Sequence, residues 1–88
     1  MYTLEYSKKA QKQLAKLDRG VQALILSWIE KNLLNCENPR QKGKGLTANR
    51  SGLWRYRVGD YRIVSSIEDE RLIILVVEVG HRKEIYRM

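Results

Sequence analysis

Eighty-eight residues hold one small domain, residues 1–88, and exclude two independent cores. Hydrophobic residues make up 43%, which excludes a disordered basic tail, and a formal charge of +7 points to an acidic partner: nucleic acid, an anionic membrane or an acidic protein. A single cysteine, Cys36, and a single histidine, His81, exclude a disulfide framework and any multi-cysteine zinc site, so no metal and no cofactor are expected.

Lys8, Lys9 and Lys12 interrupt the N-terminus with no apolar core behind them, which does not read as a signal peptide. Tyr2–Tyr6 alternates and is rich in β-formers, predicting a first strand. Ser7 can cap the helix that follows, which carries Ala10, Leu14 and Leu17 on one face. Asp18-Arg19-Gly20 breaks that pattern. A second helix then places Val21, Leu24, Ile25, Trp28 and Leu33 on an apolar stripe and ends near Asn35. The short break predicts a helical hairpin.

Residues Cys36 to Gly52 are polar and contain Pro39, Gly43, Gly45 and Gly52; they read as one long loop, a kind of segment that is commonly functional or disordered. Leu53–Val58 and Tyr61–Ile67 flank Gly59-Asp60, a two-residue hairpin signal. Asp69-Glu70 turns the chain into Arg71–Val79, whose centre is apolar on both faces and so belongs inside a sheet. The longest apolar run, Leu72–Val77, is too short to span a bilayer, and a cytoplasmic chain without a membrane partner is expected. The expected architecture is α+β: an N-terminal strand, a helical hairpin, then a three-strand antiparallel meander, with the helices on one face of a largely antiparallel four-strand sheet.

The positive charge is local. Residues 40–62 hold Arg40, Lys42, Lys44, Arg50, Arg55, Arg57 and Arg62 against Asp60 alone, a net +6, while the flanks carry +2 and −1. A two-residue turn fixes the pairing of Val58 with Tyr61, Arg57 with Arg62, Tyr56 with Ile63 and Arg55 with Val64. Alternation then puts Trp54, Tyr56, Val58, Tyr61, Ile63 and Ile67 toward the helices, and Arg55, Arg57 and Arg62 on the opposite face with no acid among them. Ile73, Leu75 and Val77 are expected beside them. Two arginines directly opposed cost a few tenths to about 1 kcal/mol. Strand arginines commonly just splay into water, but three on one face, fed by a Lys-rich loop, make a candidate phosphate site, since guanidinium grips phosphate bidentately.

The C-terminal run VGHRKEIYRM supplies the proton carriers. His81, Arg82 and Tyr86 follow a strand that neighbours Arg62. Arginine stays protonated, so it stabilises developing charge but cannot take a proton. A cationic environment lowers the pKa of Tyr and His, which makes Tyr86 and His81 the candidate bases. The reaction such a set can run is attack of an RNA 2′-hydroxyl on its adjacent phosphorus, without metal, leaving a 2′,3′-cyclic phosphate and a 5′-hydroxyl.

The element order, the loop Gly43-Lys44-Gly45-Leu46, the string LWRYRVGDYRIV and the ending VVEVGHRKEIY together resemble the RelE/ParE toxin superfamily over essentially the whole chain, more closely its RelE branch. The resemblance implies a ribosome-dependent endoribonuclease that cleaves mRNA in the A site and is paired with a RelB-like antitoxin. It implies that Arg55, Arg57, Arg62 and Arg82 clamp phosphate and that Tyr86, or failing that His81, takes the proton. Lys42, Lys44 and Arg50 would contact RNA backbone. Arg55 and Arg57 stand where the RelE pattern has lysines, and the spacing from Arg82 to Tyr86 is shorter than in that pattern. The ParE branch, which inhibits DNA gyrase without cutting RNA, shares the fold and a similar ending.

Overall fold

In the computed structural model, which describes residues 1–81, strand β1 is Thr3–Tyr6 and helix α1 is Lys8–Lys16. The helix starts there because Ser7 is extended and its hydroxyl accepts the Ala10 amide at 3.0 Å. Asp18 caps α2, Arg19–Asn32, in the same way through the Val21 amide. The break between the helices is therefore only Leu17 and Asp18. Arg19 and Gly20, read from sequence as part of the break, form the first turn of α2, because the aspartate cap already supplies the bond that turn lacks. The chain leaves α2 through Leu33, and Asn35 takes φ +60, a left-handed geometry that Asn tolerates.

The sheet has five strands where four were expected. It adds β2 (Lys44–Gly45) to β3 (Leu53–Val58), β4 (Tyr61–Glu68) and β5 (Ile73–His81), in the order β1-β5-β4-β3-β2. β2 is two residues set among glycines, too short for any periodicity, yet Lys44 pairs with Arg55 and Gly45 with Trp54. The sheet is also mixed: β1 runs parallel to β5, from Thr3 opposite Ile73 to Tyr6 opposite Val76. The connection between them is long, as parallel pairing needs, and holds both helices and the strands β2–β4. β5 begins at Ile73 because Leu72 has φ +54 and still belongs to the turn.

Both helices lie on one face of the sheet. Ala10 and Leu14 of α1, with Ile25 and Ile29 of α2, pack with Tyr56, Val58, Ile63, Ile74, Val76 and Val79. Burying each isoleucine here contributes roughly 1.5–3 kcal/mol relative to exposing it. The Trp28 ring tilts against Tyr56 with centroids 5.6 Å apart. α1 also seals the edge of β5 that β1 leaves free: the Val79 amide donates to Gln13 Oε1 at 2.7 Å and the Ser7 hydroxyl to the Val77 carbonyl at 3.2 Å. Among the described residues no helix is long and apolar enough to cross a membrane.

Two aromatics fasten the segment that leads into β2. Trp54 Nε1 donates to the Lys42 carbonyl and Tyr56 Oη to the Pro39 carbonyl, both at 2.7 Å. Between them Gly43 has φ +84, and a Cβ there would lie 2.2 Å from the Arg55 carbonyl oxygen and 2.9 Å from Trp54 Nε1. Gly43→Ala is therefore expected to destabilise the chain by more than ~2 kcal/mol, read as a lowered denaturation midpoint. An unchanged midpoint would mean that β2 is not docked on β3.

Candidate functional site

The β3–β4 hairpin builds the basic face. Gly59 has φ +60, as the first central residue of a type II′ turn requires, and the register follows: Val58 opposite Tyr61, Arg57 opposite Arg62, Tyr56 opposite Ile63, Arg55 opposite Val64. Tyr56 and Ile63 are in the core, so Arg55, Arg57 and Arg62 lie on the face away from the helices. Lys44, opposite Arg55, joins them from β2. The three arginines sit at different depths. Arg57 is exposed, Arg55 is half-buried and Arg62 is only 3% exposed.

A β-bulge changes what β5 adds to this face. Val64 pairs with Glu78 and Ser65 with Val76, so Val77 is the extra residue. Up to the bulge Ile73 and Leu75 are on the arginine side, as expected. Beyond it the alternation is inverted, sending Val79 into the core and bringing Glu78 and Gly80 to the arginine side. The expectation of no acid among the arginines is corrected here. Glu78, one strand over from Val64, is 6% exposed, with Oε1 accepting from Lys9 Nζ at 2.7 Å and Oε2 from Arg50 Nη2 at 2.8 Å. Arg50 sits in a 3-10 turn, Ala48–Arg50, just ahead of β3, so its reach to β5 carries that turn over the outer face.

The bulge also moves His81. It lies opposite Tyr61, on the helix side, with its ring edge-on to Tyr61 at 5.4 Å between centroids. The structure thus brings Lys44, Arg55, Arg57 and Arg62 together, ties Arg50 to Glu78, and turns His81 to the other face. Lys42 lies just before β2, beside a cavity of about 300 Å³ at the C-terminal end of α2. Arg82 and Tyr86 lie outside the described residues. Arg40, counted in the basic segment, is engaged elsewhere, in a bidentate pair with Asp69 at 2.9 and 3.0 Å.

Electrostatics separates structural groups from candidates for chemistry. Burial pushes the Tyr56 hydroxyl up to about 12, so it stays a donor to Pro39. The hydrogen bond to Asp69 raises Tyr2, and burial raises Tyr6. None of these three is suited to accept a proton near neutral pH. Burial works against the charge of Glu78, but the Lys9 and Arg50 hydrogen bonds outweigh it and hold the carboxyl below its ordinary 4.5. Asp69 is held below its ordinary 3.8 by Arg40 and Tyr2. Both carboxylates contribute stability in full above those ordinary values and lose it as pH falls through their lower folded values. Denaturant midpoints are expected to be flat near neutrality and to fall below about pH 4.5, and Glu78→Gln should blunt that acid loss. An equally steep acid loss in Glu78→Gln would assign it to other groups.

Residues 4–86 match the family model described as the ParE toxin of the type II toxin–antitoxin system parDE. Toxin RelG of Mycobacterium tuberculosis is 30% identical over 86 residues, covering 98% of this chain and 97% of that protein. Toxin RelE of the same organism is 31% identical over 87 residues, covering 99% and 88%. Among solved structures, the toxin–antitoxin complex RelBE2 from Mycobacterium tuberculosis aligns with TM-score 0.84 and 28% identity, over 92% of this chain and 91% of that one.

Proposed function

The chain belongs to the ParE toxin family of type II toxin–antitoxin systems, within the RelE/ParE superfamily, and we propose that it is a ribosome-dependent endoribonuclease that cuts mRNA in the A site. The observation that carries this reading is the face on which Lys44, Arg55, Arg57 and Arg62 gather, with Arg57 directly opposite Arg62. Like charges held in register across two strands cost stability, and a phosphodiester repays that cost.

In this reading Arg57, Arg62 and Arg82 hold the scissile phosphate and stabilise the charge that develops on it. Arg55, Lys44 and Lys42 follow the RNA backbone. Tyr86, or failing that His81, takes the proton from the 2′-hydroxyl. The 2′-oxygen bonds to phosphorus, the bond to the 5′-oxygen breaks, and that oxygen takes up a proton. The products are a 2′,3′-cyclic phosphate and a 5′-hydroxyl, and no step calls for a metal or cofactor. The complex aligned above is one of toxin with antitoxin, which supports a RelB-like antitoxin as the partner that silences this face, its acidic groups answering the basic ones.

Translating a defined mRNA with the protein and mapping 5′ ends tests the reading. Cuts at A-site codons are expected. Intact mRNA together with blocked DNA supercoiling would reassign the chain to gyrase inhibition, the activity of the ParE branch.

A further inference from the structure

Glu78 is the one buried carboxylate among the described residues, and it lies on the face read above as the RNA site. Both of its oxygens are taken, one by Lys9 from α1 and one by Arg50 from the 3-10 turn. Arg55 and Arg62 stand on the same face from β3 and β4, Arg62 two pairing steps along from the Glu78–Val64 pair. Drawing Arg50 or Lys9 off toward a phosphate would leave a buried carboxylate half compensated, a strongly unfavourable state. A phosphate backbone is bound in proportion to the cations it meets, whatever its sequence. Without Glu78, Lys9 and Arg50 would add two cations to those that Lys44, Arg55 and Arg57 already present to RNA.

We propose that Glu78 is a specificity-determining residue that withholds Lys9 and Arg50 from RNA. Free single strands are then bound weakly, and productive binding depends on contacts made through the rest of the face. The proposal rests on the RNA reading of this site. Its opposite, in which Glu78 aims Arg50 at a phosphate, carries the opposite sign.

The test is fluorescence anisotropy of the full chain with a labelled single-stranded RNA, 2′-O-methylated so that it cannot be cut, over a series of salt concentrations. Glu78→Gln is expected to bind about tenfold more tightly at low salt and to steepen the slope of log K against log salt by about 0.7–1.4. Adding Arg50→Gln should remove about half of that gain. Equal or weaker binding by a folded Glu78→Gln overturns the proposal. If that variant does not fold, Arg50→Gln and Lys9→Gln carry the test in the otherwise unchanged chain. Each should move the slope by less than ~0.3, whereas Lys44→Gln lowers it by about 0.7. A drop of about 0.7 from Arg50→Gln or Lys9→Gln overturns the proposal as well. A chain that binds this RNA but leaves mRNA intact on ribosomes sinks the nuclease reading and leaves the comparison readable. A folded Glu78→Gln chain that shows no RNA binding at low salt overturns the proposal, and cutting on ribosomes then decides the nuclease reading separately.

Discussion

Arg57→Ala is expected to slow mRNA cleavage about a hundredfold to a thousandfold, the loss typical of one preorganised charge-stabilising group. Its effect on stability should run the other way. Arg57 is exposed, no carboxylate among the described residues pairs with it, and it faces Arg62 across the hairpin. Removing it relieves a like-charge contact and should raise the folded-state stability by up to about 1 kcal/mol. Single-turnover cutting on programmed ribosomes and thermal melts measure the two effects separately. Loss of activity with gain of stability is the signature of a residue kept for function. Near-wild-type cutting by Arg57→Ala would remove it from the site. Arg62→Ala is a less clean probe, because Arg62 is buried and its loss also disturbs packing.

Tyr86→Phe is expected to cost about 10²–10⁴ in cleavage rate, the range for loss of a general base, with binding little changed. His81→Ala should cost far less, under about tenfold. The asymmetry follows from the bulge in β5, which turns His81 against Tyr61 on the helix side while Arg57 and Arg62 face the other way. If His81→Ala instead abolishes cutting and Tyr86→Phe does not, the imidazole is the base. The pH–rate profiles of the two variants would report the same exchange of roles.

The β3–β4 hairpin was fully legible in the sequence because its information is local. Gly59-Asp60 sets the turn, the turn sets the register, and the register opposes Arg57 to Arg62. The helices were legible through Ser7 and the apolar spacing of Ala10, Leu14, Ile25 and Leu33, whereas Ile29 was missed, Leu24 is exposed, and Asp18 was taken for a breaker when it is a cap. Pairing of β1 with β5 joins opposite ends of the chain, and no local pattern encodes that direction. β2 escaped notice because two residues carry no period.

The bulge was hidden by composition. Ile73 to Val77 are all apolar, so inserting a residue leaves the hydrophobic pattern unchanged. One signal was there. Strict alternation from Ile74 and Val76 would have buried Glu78 in the core, and a carboxylate at such a position argues for a register shift. Following that shift would have brought Glu78 to Arg50 and taken His81 away from the arginines.

The central claim is that this face runs 2′-hydroxyl chemistry on a phosphodiester. The most direct measurement uses ribosomes programmed with an mRNA carrying a single 2′-deoxynucleotide on the 5′ side of the mapped cut, with end-group analysis of the all-ribose control. Cleavage of the control to a 2′,3′-cyclic phosphate and a 5′-hydroxyl, with no cut at the deoxy position, is the predicted result. Cutting that ignores the missing hydroxyl, or that leaves a 5′-phosphate, contradicts it.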